Sequence, residues 1–220
     1  MFDFNKEAKK ERFNAHANLS SGAYNLLIGA CLLYGFVVNA LMVKFLSPAL
    51  LGLNPLIFLI GYFVLCFAGI FMSRSKSPLV SFIGYNFVVV PIGALLAISL
   101  PEYNPELILS AIIVTGIVVA VMMLLATLFP NLFARMGTAL FIALSVSILA
   151  QFIALLLGYG GNAFNWIFVI IFSLYIGFDW YRAQQFPKTL DNAIDCVLDL
   201  YLDIINLFLR ILEILSRRKD

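Results

Sequence analysis

Charged residues fall in a few short clusters, and between them run intervals with no Asp, Glu, Lys or Arg: 45–73, 77–101, 107–134 and 136–178. Each interval holds one or two apolar stretches of about 20 residues, the length a helix needs to cross roughly 30 Å of hydrocarbon at about 1.5 Å per residue. The pattern predicts membrane spans at 23–45, 55–72, 79–100, 106–128, 137–157 and 163–181. The connections carry turn chemistry: Ser47-Pro48, Asn54-Pro55, Ser77-Pro78, Pro101 through Pro105, Pro130-Asn131 and Gly158-Tyr159-Gly160-Gly161-Asn162. Pro91 lies inside the third span, where it removes a helix hydrogen bond and predicts a packing kink.

The segment 190–216 departs from this pattern. It is helical in periodicity, yet it carries Asp191, Asp195, Asp199, Asp203, Arg210 and Glu213. The four aspartates recur at i, i+4, so each sits about 40° round the helix from the last and together they form an acidic stripe. Ile194, Val197, Leu198, Tyr201, Ile204, Ile205, Phe208 and Leu209 supply the apolar face. Asp191 and Asp195 suit a helix N-terminus, where the macrodipole stabilises each by about 0.3–1 kcal/mol. Asp203 lies deeper, inside Leu200-Tyr201-Leu202-Asp203-Ile204-Ile205-Asn206-Leu207-Phe208. A bare carboxylate there costs at least about 2.5–3.5 kcal/mol on insertion, so it should face a protein interior or a water-filled cavity and have a partner. The other isolated acid, Asp179, is spaced to pair with Arg182 at i+3. If the segment crosses, its basic tail Arg217-Arg218-Lys219 lies outside; if it enters partway and returns, the tail stays cytoplasmic.

Composition narrows the class. Of 220 residues 63% are hydrophobic and 12% charged, with a mean hydropathy of +1.01, against about 45–50% and about 25% for soluble domains. The chain therefore reads as a polytopic membrane protein, with a cytoplasmic N-terminal segment 1–21, one membrane domain 22–216 and a basic tail 217–220. The N-terminal segment, with Lys6, Glu7, Lys9, Lys10, Glu11 and Arg12, reads as solvated. It makes a cleavable signal peptide the weaker expectation. Basic residues number four before the first span, two after the second, one after the fourth and two after the sixth, while the loops after the third and fifth have none. That asymmetry places the N-terminus in the cytoplasm. A net charge of +2 without a basic, aromatic-laced patch excludes nucleic acid as a partner. Cys31, Cys66 and Cys196 lie in apolar segments without metal-ligand spacing and are expected to be buried and inert. Gly116 and Ala120, four apart, are expected to serve internal helix packing.

The Asp203 motif, following the Asp179 segment by 24 residues, resembles the C-terminal signature of the Bax inhibitor-1 family, the transmembrane Bax inhibitor motif proteins, and the chain's size resembles the bacterial branch. The resemblance implies an all-α polytopic bundle of seven transmembrane helices, six peripheral around a central acidic C-terminal helix, in the bacterial plasma membrane. It implies a pH-sensitive calcium leak in which Asp179 and Asp203 form a hydrogen-bonded pair at the cytoplasmic mouth of a pore. Arg74, in Phe71-Met72-Ser73-Arg74, would latch that pair. Family members often carry an acid inside the second helix, and residues 55–73 have none. Two carboxyls in contact share a proton and titrate together, which gives such a gate its response to pH. Calcium prefers oxygen ligands, which Asp195, Asp199 and Asp203, with Asn206, could supply as a weak path rather than a cage. The implied partners are the bilayer, protons and calcium as the permeant ion, with no resident cofactor.

Other classes compete with that reading. Paired membrane aspartates also describe intramembrane aspartyl proteases, but those resemble a Gly-x-Gly-Asp pattern that Leu200-Tyr201-Leu202-Asp203 lacks. His16 is the one histidine, so neither a His-Glu-x-x-His zinc site nor a Ser-His site can be built, and the chain is expected not to be an enzyme. A regulator that binds other membrane proteins, and a calcium/proton exchanger using the same aspartates, stay open.

Overall fold

Asn-Pro pairs open two of the helices. Asn54 Oδ1 accepts the Leu56 and Ile57 N–H groups at 2.9 and 3.4 Å, and Asn104 Oδ1 accepts that of Glu106 at 2.9 Å. Pro55 and Pro105 follow at the first helical position, where a missing N–H costs nothing. What the sequence marks as turns are thus also the caps of the next spans.

The computed structural model describes residues 19–50, 52, 54–75, 77–158 and 162–217. The charged segment before Leu19, with His16, and Lys76, Tyr159-Gly160-Gly161 and the tail from Arg218 lie outside the described residues. The elements are α1 (Ser21–Leu50), α2 (Pro55–Ser73), α3 (Pro78–Ser99), a 3-10 turn (Leu100–Glu102), α4 (Pro105–Leu128), the single-turn α5 (Pro130–Phe133), α6 (Gly137–Leu156), α7 (Ala163–Gln185) and α8 (Leu190–Ser216). Among the described residues there is no strand. Helix α1 runs on through Ser47-Pro48 instead of turning there. Helix α3 likewise continues through Pro91. Gly158 ends the stretch after α6 with φ +77°, a left-handed conformation that only glycine adopts at no steric cost.

Six helical stretches are long and apolar enough to cross a membrane: Ser21–Leu46, Pro55–Ser73, Pro78–Glu102, Pro105–Leu128, Gly137–Leu156 and Ala163–Gln185. All six match the predicted spans. Helix α8 is not among them because of its charges, although its 27 unbroken residues give it a length of about 40 Å.

The described residues divide into two compact units. The first takes the residues up to Leu95 with Gln185–Leu198. Its core contains Tyr24, Ile28, Tyr85, Val88, Val89 and Val197. Two tyrosine hydroxyls tie it together: Tyr85 donates to Cys31 O at 3.0 Å and Tyr34 to Asn86 Oδ1 at 2.7 Å. Helices α2 and α3 touch backbone to backbone, for a Cβ on Gly84 would lie 2.5 Å from Ser73 N and 2.7 Å from Gly69 O. The second unit takes Leu96–Gln184 with the residues from Asp199 onward, and buries Phe133, Phe168, Ile176, Leu200, Tyr201, Leu207 and Leu212.

Outward faces are apolar in both units. Leu26, Leu56 and Phe71 in the first, and Phe141, Leu155 and Ile170 in the second, are exposed. Apolar surface on this scale fits a lipid solvent. Gly116 and Ala120 lie on such an exposed face, and a Cβ on Gly116 would meet nothing within 4 Å. The expectation of internal packing at that pair is therefore corrected: α4 turns its small residues outward there and packs through Ala111 and Thr115. Of the cysteines, Cys196 is buried while Cys31 and Cys66 are only partly so.

The α2/α3 approach yields a test. Gly84→Leu should lower stability by about 1–3 kcal/mol, because its side chain meets backbone that cannot move aside, whereas Gly116→Ala should leave it unchanged. Thermal unfolding of both purified proteins in detergent checks the contrast.

Candidate functional site

The chain Gly177-Phe178-Asp179-Trp180 in α7 is fixed on three sides within the second unit. A Cβ on Gly177 would fall 2.2 Å from the Phe133 ring, so only glycine lets α7 come so close to that ring of α5. Phe178 presses its ring on Gly137 at the start of α6, where a Cβ would lie 2.7 Å away. Trp180 Nε1 donates to Thr127 Oγ1 of α4 at 3.1 Å. Asp179 sits among these anchors, buried at 7% exposure.

Asp203 of α8 meets it there. It is buried at 8% exposure, and its carboxyl lies within hydrogen-bonding contact of Asp179. Asp203 Oδ2 receives no N–H or O–H from any described residue. Two carboxylates only accept, so the donor that can join this pair is a proton held between them. Tyr175, one turn before Asp179, lies close enough to feel both charges.

One cation faces the acids. Arg182 Nη1 donates to Asp179 Oδ1 at 3.2 Å and Nη2 to Asp199 Oδ2 at 2.7 Å, while its guanidinium lies 5.8 Å from the Phe178 ring centre. The i+3 pairing with Asp179 is the one the spacing predicts. The bridge to Asp199 is not visible in the sequence, because it depends on how α7 and α8 are rotated about their axes. Two of the three acids thus share one guanidinium, and a single proton would leave the group of four with one net negative charge.

The remaining predicted residues have other surroundings. Arg74 belongs to the first unit, exposed at the C-terminal cap of α2. Asp191 and Asp195 also belong to the first unit. Asp191 accepts the Ser81 hydroxyl at 2.9 Å, and Asp195 lies near Tyr24. Asn206, in the second unit, donates Nδ2 to Leu202 O at 2.8 Å, which leaves its amide oxygen as the group able to face an ion. Successive aspartates of the stripe rise about 6 Å per step. No group of three His, Cys, Asp or Glu among the described residues is arranged to hold a metal ion. The stripe offers single oxygens in series.

Ahead of α8, Thr189 Oγ1 accepts the Asn192 N–H at 3.3 Å and Asn192 Nδ2 donates to Pro187 O at 2.8 Å. The Lys188 ammonium lies 4.6 Å from the Tyr24 ring centre, and burial pushes it below the ordinary lysine range. These contacts fix where the acidic helix begins.

Residues 17–220 match the family described as Inhibitor of apoptosis-promoting Bax1. Two proteins from different strains of Helicobacter pylori, each described only as an uncharacterized protein, are 32% identical to this chain over 165 residues, covering 71% of it and 70% of theirs.

The geometry distinguishes two substitutions. Asp203→Asn should fold with little loss, since its amide can donate to Asp179 in place of the proton. Arg182→Gln should cost about 1–3 kcal/mol, the cost of leaving two partly buried carboxylates without their cation, discounted for the exposure of the guanidinium. Comparing thermal unfolding of the two variants with the parent protein checks the order.

Proposed function

Since the chain belongs to the Bax inhibitor family and is a membrane protein of the transmembrane Bax inhibitor motif type, we propose that it is a pH-sensitive calcium leak gated by the Asp179–Asp203 pair. The carrying observation is that buried pair itself, with an oxygen of Asp203 that lacks a donor and Arg182 bridging to Asp199. Carboxyls so placed share one proton. In that state Asp179 keeps its charge and its bond to Arg182, and α7 stays tied to α8. A second proton neutralises Asp179, weakens the ion pair and frees the two helices to separate.

On this reading α8 is the seventh span, central to the other six, and its acids Asp195, Asp199 and Asp203 with the Asn206 oxygen form a low-affinity path for calcium. Only Leu190 among the residues of α8 is exposed, which supports the central placement. The protein is then a transporter and not an enzyme, it has the bilayer, protons and calcium as partners, and its N-terminus and the pair lie on the cytoplasmic side of a bacterial plasma membrane. The Helicobacter relatives support the bacterial setting. Arg182 supplies the cation that favours the charged pair, and Arg74 is a second latch candidate.

The test is calcium entry into liposomes holding the purified full chain and a trapped calcium dye, recorded across pH. Entry should rise as pH falls, because protonation releases the latch. Asp179→Asn should abolish the pH response, and Asp203→Asn should leave a response set by Asp179 alone. Arg182→Gln should raise entry at high pH and flatten its dependence on pH, since the ion pair that protonation weakens is then absent; the same change in Arg74→Gln would give that residue the latch role. No entry above empty liposomes at any pH, from folded protein, overturns the leak and leaves the regulator that works through membrane-protein partners. Flux that requires an opposing proton gradient would make the protein an exchanger.

A further inference from the structure

The polar stripe of α8 does not end at the acids. Counting about 100° per residue, Asp199, Asp203, Asn206, Arg210 and Glu213 fall within an arc of about 80°, so one helix face carries them all. Arg210 stands about 10 Å beyond Asp203 along that face.

Its hydrogen-bond and ring partners are neutral. Nη1 donates to Asn165 Oδ1 of α7 at 3.0 Å, Nη2 to Gln151 Oε1 of α6 at 3.3 Å, and the guanidinium carbon lies 4.3 Å from the Phe168 ring centre. None of the ion pairs among the described residues includes Arg210. The nearest acid on its own helix, Glu213, is occupied elsewhere: Oε1 accepts from Arg217 Nε at 2.7 Å and Oε2 accepts the Tyr103 hydroxyl at 3.1 Å. Burial and the neighbouring Glu213 push the Tyr103 hydroxyl up, which keeps it a donor. Arg210 is therefore oriented by amides and an aromatic ring without a direct ion pair, and Glu213, already bound to Arg217, acts on it only from a distance. A cation without an ion-pair partner among membrane helices is costly and marks function more often than packing.

We propose that Arg210 sets the cation conductance of this protein, as a fixed positive charge across the path that runs along α8. The inference rests on the leak reading above. Repulsion scales with the charge of the passing ion, so the barrier acts on a divalent ion twice as strongly in energy as on a monovalent one. Asn165 and Gln151 are positioning residues that hold the guanidinium across the path.

The experiment uses the full chain in liposomes, with entry of calcium and of potassium measured for the parent protein, Arg210→Gln, Arg210→Lys and Asn165→Asp. Arg210→Gln removes the charge and should raise calcium entry about tenfold or more. Potassium entry should rise by about the square root of that factor, as the halved energy requires. Arg210→Lys keeps the charge and should stay near the parent rate. Asn165→Asp leaves Arg210 in place and puts a carboxylate on its 3.0 Å contact, so it should raise calcium entry in the same direction, which secures the test if Arg210→Gln does not fold. Equal calcium entry in all four proteins, or a rise by the same factor for both ions, overturns the barrier while the leak stands on the pH response of the parent. No entry in any of them overturns the leak and the barrier together.

Discussion

A carboxylate that leaves water for the interior of a membrane protein must find a cation, a donor or a proton. Asp203 meets this constraint with none of the ordinary donors: one of its oxygens has no N–H or O–H to accept, and its neighbour is a second carboxyl. The second unit is organised around that problem. Arg182 neutralises part of the charge by spanning Asp179 and Asp199, and a proton is the remaining means by which the pair can hold together. A site whose integrity depends on a proton is one that pH can alter.

Positioning matters as much as charge. Asp179 stays opposite Asp203 because α7 is pinned where Gly177 admits the Phe133 ring, where Phe178 rests on Gly137 and where Trp180 donates to Thr127. These contacts are apolar or neutral, and they do not depend on protonation. The anchors of α7 therefore stay the same whichever charge state the acids take. Farther along α8, Arg210 shows the opposite solution for a partly buried charge. It donates hydrogen bonds to amide oxygens and lies against a ring, without a direct ion pair.

The sequence by itself determined the class and the spans. Charge-free intervals of membrane length need no tertiary context, because a single helix satisfies its own backbone in lipid, and all six predicted spans are helices of the expected extent. It also determined that Asp203 must be functional or partnered, because a carboxylate within Leu202-Asp203-Ile204 is costly anywhere in the hydrocarbon, and it supplied the Asp179–Arg182 pair, which lies within one helical turn. The tertiary structure decided what depends on helix rotation and on contacts between distant segments: that Arg182 also reaches Asp199, that Gly116 and Ala120 face outward, and that Glu213 is taken by Tyr103 and Arg217, leaving Arg210 with neutral partners. Periodicity fixes which residues share a face, but only packing fixes what that face meets. A charge read along the chain has a known cost and no known partner until the helices are assembled.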